Sequence, residues 1–152
     1  IACGIASVLA AQGQRVLLVD LDPQSNAAWG LGADPTQPGT AELLLGEQPI
    51  PIALTENLSV LPGGPGLKGH DVMRLDPEAL ADAVAAFDHT AIIFDCPPGL
   101  DHLERFGLVA AERALIVVDA HPFAVSAAAE EPARRATLVA GDEPCRSATH
   151  TG

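Results

Sequence analysis

Apolar residues recur along this chain in two alternating rhythms, short runs and helical spacings. Residues 16–19, 58–61, 90–94 and 114–118 are the runs, and the unbroken Val16-Leu17-Leu18-Val19 suits a parallel strand covered on both faces. Ile1, Ile5, Val8 and Leu9 fall at i, i+4, i+7 and i+8. That spacing predicts a helix with this face turned inward and Gly13 just past its end. Shorter helices are predicted over 26–31 and over 40–45, the second with Thr40 as N-cap and Glu42 in its first turn. Asp76 caps a further helix with Pro77 at its first position and Leu80, Val84 and Phe87 facing inward. Residues 103–111 read as a helix, and so does the stretch from 123 to about 139 despite Pro132. The β-α-β-α alternation calls for an α/β fold with a doubly wound, mainly parallel sheet. Residues 1–140 read as one domain, and 141–152 as an irregular tail without apolar period.

Two of the runs end in carboxylates and then break at proline. Val16-Leu17-Leu18-Val19 leads into Asp20-Leu21-Asp22-Pro23-Gln24, and Ile92-Ile93-Phe94 leads into Asp95-Cys96-Pro97-Pro98-Gly99. Ligands of open α/β sheets bind outside the carboxyl ends of the strands, so both sets of acids are expected to face one site. Residues i and i+2 of a strand share a face, which turns Asp20 and Asp22 toward the same ligand if the strand persists. The competing reading of an Asp before Pro is a turn closed by its own side chain. Asp95 is the stronger single residue, because an acid at the end of an apolar strand is costly to bury without compensation. A cation-bound water would supply it. Gly99 lets a backbone N–H approach a phosphate closely. Carboxylate-tipped strands of this kind suit a Mg-nucleotide site.

Composition narrows the classes. The chain has 152 residues, 48% of them hydrophobic, with 14 Gly, 13 Pro and no Tyr, which suits one globular α/β domain. Its net charge is −12, with eight Lys and Arg residues in all. Phosphate-backbone binding rests on clustered Lys and Arg, so nothing here supports direct contact with nucleic acid or an anionic membrane. No apolar run approaches the ~20 residues of a membrane span. Cys3, Cys96 and Cys145 lie far apart without a Cys-x-x-Cys, which fits a reducing cytoplasm. Cys96 reads as a small buried spacer rather than a nucleophile, since no partner His is placed by the sequence. Gly64-Pro65-Gly66-Leu67-Lys68-Gly69 matches the dinucleotide pattern Gly-x-Gly-x-x-Gly. Its context is poor: Pro65 removes a donor, and the next convincing helix waits until residue 76.

The chain resembles the ParA/Soj/MinD family of partition-type ATPases. The resemblance is carried by Ala10-Ala11-Gln12-Gly13-Gln14-Arg15, the stretch from Val16 through Asp20-Leu21-Asp22-Pro23-Gln24-Ser25-Asn26, and Gly30-Leu31-Gly32. Phe94-Asp95-Cys96-Pro97-Pro98-Gly99 and the Leu115-Ile116-Val117-Val118 strand with Pro122-Phe123-Ala124 continue it. It runs from Ile1 to about residue 129. It implies a P-loop NTPase fold of deviant Walker A type, in which ATP binding builds a homodimer and hydrolysis resets it. By position, Asp22 matches the aspartate that orients the hydrolytic water, and Asp20 lies beside Mg²⁺. Asp95 matches the Walker B acid that reaches Mg²⁺ through water, and Gly99 falls near the γ-phosphate.

The family's first strand and its Lys-Gly-Gly-x-Gly-Lys-Thr loop are expected immediately before Ile1. The chain therefore reads as an incomplete fold, a fragment also lacking the family's C-terminal part. The resemblance implies a cytoplasmic switch for plasmid or chromosome partition or cargo positioning, with ATP and Mg²⁺ as cofactors and a ParB-like activator. It allows DNA binding by the intact protein, but these residues do not support it. The alternative is a nucleotide-free structural remnant or interaction module.

Overall fold

A computed structural model describes residues 1–99, 101–118 and 136–140. The chain divides into two compact units, Ile1–Ala110 and Ala111–Gly152.

Four strands make the sheet of the first unit, in the order β2-β3-β1-β4. β1 (Val16–Asp20) is flanked in parallel by β3 (Leu58–Leu61) and β4 (Ala91–Asp95), with Val16 opposite Leu58 and Ala91. The two-residue β2 (Ile52–Ala53) pairs antiparallel with β3, a short edge that the apolar pattern did not predict. Every residue of β1 is buried, which is why its sequence shows no polar alternation. Alternate β1 side chains serve opposite layers. Leu17 and Val19 join Leu61, Leu80, Val84, Leu103 and Phe106 on one face, whereas Val16 and Leu18 pack with Ala6, Ala10, Ala27 and Ala28 on the other. Helices thus cover both faces, as the doubly wound reading requires.

The helices depart from expectation in detail. α1 (Ala2–Ala11) forms, with Gly13 just past its end, but it is turned the other way. Ala6 and Ala10 are buried, with Ala2, Cys3 and Leu9 packed beside them, while Ile1, Ile5 and Val8 face outward. Small side chains bring the helix close to the sheet, and that close approach prevails over the larger apolar stripe. α2 (Asn26–Gly30) and α3 (Thr40–Leu44) follow. Thr40 is not the N-cap of α3. Gly39 holds that position and donates its N–H to Glu42 Oε2 at 2.7 Å, so Glu42 closes the helix start instead.

The Gly64–Gly69 stretch is a 3-10 turn, Pro65–Lys68, and not the start of an α-helix. α4 (Ala79–Val84) is shorter than its pattern; Asp76 Oδ1 accepts the Glu78 N–H at 3.3 Å, and Leu80 and Val84 are buried as expected. α5 (Asp101–Ala110) precedes the second unit, in which β5 (Ala114–Val118) and β6 (Ala136–Ala140) pair in parallel. Residues 136–139 are therefore strand, not the end of a helix; Thr137 and Val139 are β-branched and favour extended backbone. Residues 123–135 of that expected helix, Asp119, and the 141–152 tail lie outside the described residues.

Candidate functional site

The carboxyl ends of β1 and β4 carry the acids. Parallel pairing sets Asp20 opposite Asp95 as the last register pair of the two strands. The chain beyond β1 stays tied to β4, because the Leu21 N–H donates to the Asp95 carbonyl at 2.9 Å.

Asp20 is fully buried, and three backbone amides surround it. Its Oδ1 accepts the Asp22 N–H at 2.9 Å, and its Oδ2 accepts the Ala27 and Ala28 N–H groups at 3.0 and 3.1 Å. A carboxylate at the start of α2 satisfies donors that a helix leaves unpaired. Burial pushes the Asp20 carboxyl up to about 6, with the amides of Asp22 and Ala28 pulling down and the Asp95 and Asp22 charges adding to the rise. The sequence contained the signal for this cap: an acid at a strand end, a short turn, then an Ala-rich helix. The pattern reading passed over it.

Asp22 stands half-buried on the turn that follows. Its Oδ1 accepts the Gln24 N–H at 2.9 Å and its Oδ2 the Asn26 side-chain amide at 2.6 Å. It therefore closes its own turn. Two carboxylate oxygens offer about four acceptor positions, so one position on each remains open.

Asp95 contrasts with both. It is half-buried, and among the described residues no donor reaches its carboxylate. Burial lifts its pKa above the ordinary carboxylate range, and the nearby Asp22 charge adds to the rise. Asp22 and Asp95 thus share one electrostatic neighbourhood. Two neighbouring acids favour a cation. Beyond β4, Pro97 is buried, and Gly99 is exposed at φ 69°, with nothing among the described residues within 4 Å of where a Cβ would stand. Cys96 Sγ lies against Gly107 of α5, but the residue is exposed and so is not the small buried spacer expected.

Among the described residues no group of three or more His, Cys, Asp or Glu side chains converges to hold a metal ion. Mg²⁺ keeps several waters and takes only one or two carboxylates together with substrate phosphates, so the donor set here fits an ion held mainly by a nucleotide. No helix among the described residues is long and apolar enough to cross a membrane.

A family model described as an AAA domain matches residues 1–130. The chain is 37% identical over 131 residues to the chromosome-partitioning ATPase Soj of Thermus thermophilus, covering 84% of this chain and 52% of that protein. It is 34% identical over 139 residues to the chromosome partitioning protein ParA of Caulobacter vibrioides, covering 82% and 52%. The chain spans about half the length of the curated relatives it matches. Among solved structures it is similar to cobyrinic acid a,c-diamide synthase of Mycobacterium smegmatis with bound ATP analog and magnesium. That match has 31% identity and a TM-score of 0.68 over 90% of this chain and 64% of the other. The septum site-determining protein MinD of Pyrococcus horikoshii, complexed with Mg-ADP, shares the fold at 22% identity and a TM-score of 0.71, over 91% and 62%.

Proposed function

The chain belongs to the ParA/Soj/MinD family of P-loop ATPases, and from that premise we propose that residues 1–140 are the nucleotide-switch part of a partition or positioning ATPase. The observation that carries this reading is the register pair Asp20–Asp95 at the ends of adjacent parallel strands, with Asp22 beside it. In this reading Asp22 orients the attacking water through its open acceptor positions. Asp95, half-buried and without a donor among the described residues, holds a water of the Mg²⁺ shell. Asp20 lies beside the metal and contributes charge, its oxygens being engaged by backbone amides. Gly99 brings a backbone N–H to the γ-phosphate. Bound Mg²⁺ would neutralise developing charge on the phosphate oxygens. ATP assembles two copies into a homodimer, hydrolysis releases them, and a ParB-like activator sets the timing in chromosome or plasmid partition.

The second reading is a nucleotide-free structural or interaction module. Residues 1–152 contain no Gly-Lys-Ser/Thr, and the single lysine, Lys68, sits in the 3-10 turn. A phosphate loop contributes a row of backbone donors and a lysine at the β/γ-phosphates, and acids alone repel a nucleotide. Isothermal titration decides between the readings. The 152-residue chain is expected to bind Mg-ATP weakly or not at all. The same chain extended ahead of Ile1 by a strand and Lys-Gly-Gly-x-Gly-Lys-Thr is expected to bind it and hydrolyse it. If the extended chain neither binds nor hydrolyses Mg-ATP, the module reading stands.

A further inference from the structure

The Pro62-Gly63-Gly64 loop has no part in the reading above, yet the Asp22 turn leans on it. β1 and β3 run parallel, with Val19 opposite Leu61, so the chain leaving each strand passes over the same edge of the sheet. There Gly63 lies so close to the main-chain carbonyl of Asp22 that any Cβ at 63 would be driven into it. The same carbonyl accepts the Ser25 N–H at 2.9 Å. Ser25 Oγ in turn accepts the Gly64 N–H at 2.9 Å, which closes a ring of contacts between the two loops.

Ser25 is unusual in its own right. It is 2% exposed and, among the described residues, the one non-glycine with positive φ, at 54°. A side chain held in the left-handed region is strained and persists only where its surroundings over-determine it. The Gly64 contact is such a determinant. The Gly63 loop is itself anchored, since Pro62 and Gly63 offer their carbonyls to the Thr40 and Ala41 N–H groups at 2.7 and 3.3 Å.

We infer that Ser25 and Gly63 are positioning residues for Asp22. The Ser25 hydroxyl on the Gly64 amide, and the bare α-carbon of Gly63 under the Asp22 carbonyl, clamp the turn from one side while Asp20 holds it from the other. Both hydrogen bonds to the Asp22 carboxylate come from within its own turn, so the carboxylate goes where the turn is held. The inference rests on the reading of Asp22 as the water-orienting acid, and its test separates the two ideas.

Hydrogen exchange on the 152-residue chain reads the clamp without any nucleotide. Ser25→Ala removes the tether and keeps the backbone cost. Ser25→Gly removes the tether and relieves that cost, and Gly63→Ala forces the loops apart. All three are expected to speed exchange of the amides of Asp22 and residues 24–28 by about 10-fold, with the β1 amides 16–19 unchanged. Exchange at the Asp22 and 24–28 amides that stays at the wild-type rate in both Ser25 variants overturns the clamp, even if Gly63→Ala fails to fold. In the chain extended by the phosphate loop, Ser25→Gly is expected to lower kcat about 10-fold or more while KM for Mg-ATP moves less than about twofold. Faster exchange with unchanged kcat overturns the positioning role. Faster exchange in variants of an extended wild type that cannot hydrolyse ATP overturns the proposed function and leaves the clamp standing on the exchange data alone.

Discussion

β1 and β4 are nearly the same sentence written twice, Val-Leu-Leu-Val-Asp and Ala-Ile-Ile-Phe-Asp, paired residue for residue. Their surroundings differ throughout. β1 lies between two strands and is buried at every position, whereas β4 stands last in the four-stranded sheet among the described residues and is only half-buried at every position. The terminal acids follow suit. Asp20 is sealed in and engaged by three amides; Asp95 is partly open, with no donor among the described residues. Equivalent sequence ends have become a structural cap in one case and an available carboxylate in the other. Among the described residues, that difference goes with the place of each strand in the sheet. Of two chemically equal acids, the one whose oxygens are not taken by the backbone is the better candidate for chemistry.

The largest effects should separate the acids by role. In the chain extended by its phosphate loop, Asp22→Ala is expected to lower turnover by about 100-fold or more, because a positioned acid or base contributes on that scale. ATP binding should persist, and an ATP-trapped dimer should appear as a larger species in size-exclusion chromatography. Asp95→Ala should weaken Mg²⁺-dependent nucleotide binding as well. If Asp22→Ala hydrolyses ATP at the wild-type rate, Asp22 is only the turn residue that its Gln24 and Asn26 contacts describe.

Strand position should show next, in stability. Leu18 of β1 is fully buried, while Ile93 of β4 is half-buried. Leu18→Ala is expected to cost about 3 kcal/mol in urea denaturation, and Ile93→Ala about half as much. Equal losses would mean that β4 is as enclosed in solution as β1, by self-association or otherwise. A concentration-dependent midpoint would then point to pairing along its edge.

The last comparison concerns pH. Asp20 titrates at about 6 in the folded chain, above its ordinary 3.8. Between those values the folded state binds more protons than the unfolded one, so stability is fullest below the unfolded pKa and declines as pH rises through about 6. The expected decline across that window is about 3 kcal/mol. Asp20→Asn should flatten it. The slope is the quantity to compare, because an amide offers one acceptor oxygen where the carboxylate offers two. An unchanged slope would assign the titration to another group, such as Asp95, whose pKa is shifted in the same direction.

Much of this molecule was legible before any coordinate. Unbroken apolar runs of four or five residues suit the strands of a covered sheet, and their alternation with helical spacings permits few folds besides a doubly wound sheet. Acids at the ends of such strands then fall at one edge, whatever the side-chain detail. By itself the sequence settled the α/β class, the parallel order of the chain through its layers, and the gathering of Asp20, Asp22 and Asp95 at a common edge. Tertiary structure alone decided the rest, because it turned on distances between segments far apart in the chain. The choice of Ala6 and Ala10 over Ile5 and Val8 as the inner face of α1 depended on how closely the helix approaches the sheet. The strand at residues 136–140 depended on a partner, β5, that supplied its hydrogen bonds. The clamp of Ser25 and Gly63 on the Asp22 turn joins residues about forty positions apart, and no local pattern encodes a contact that only parallel pairing of β1 and β3 creates.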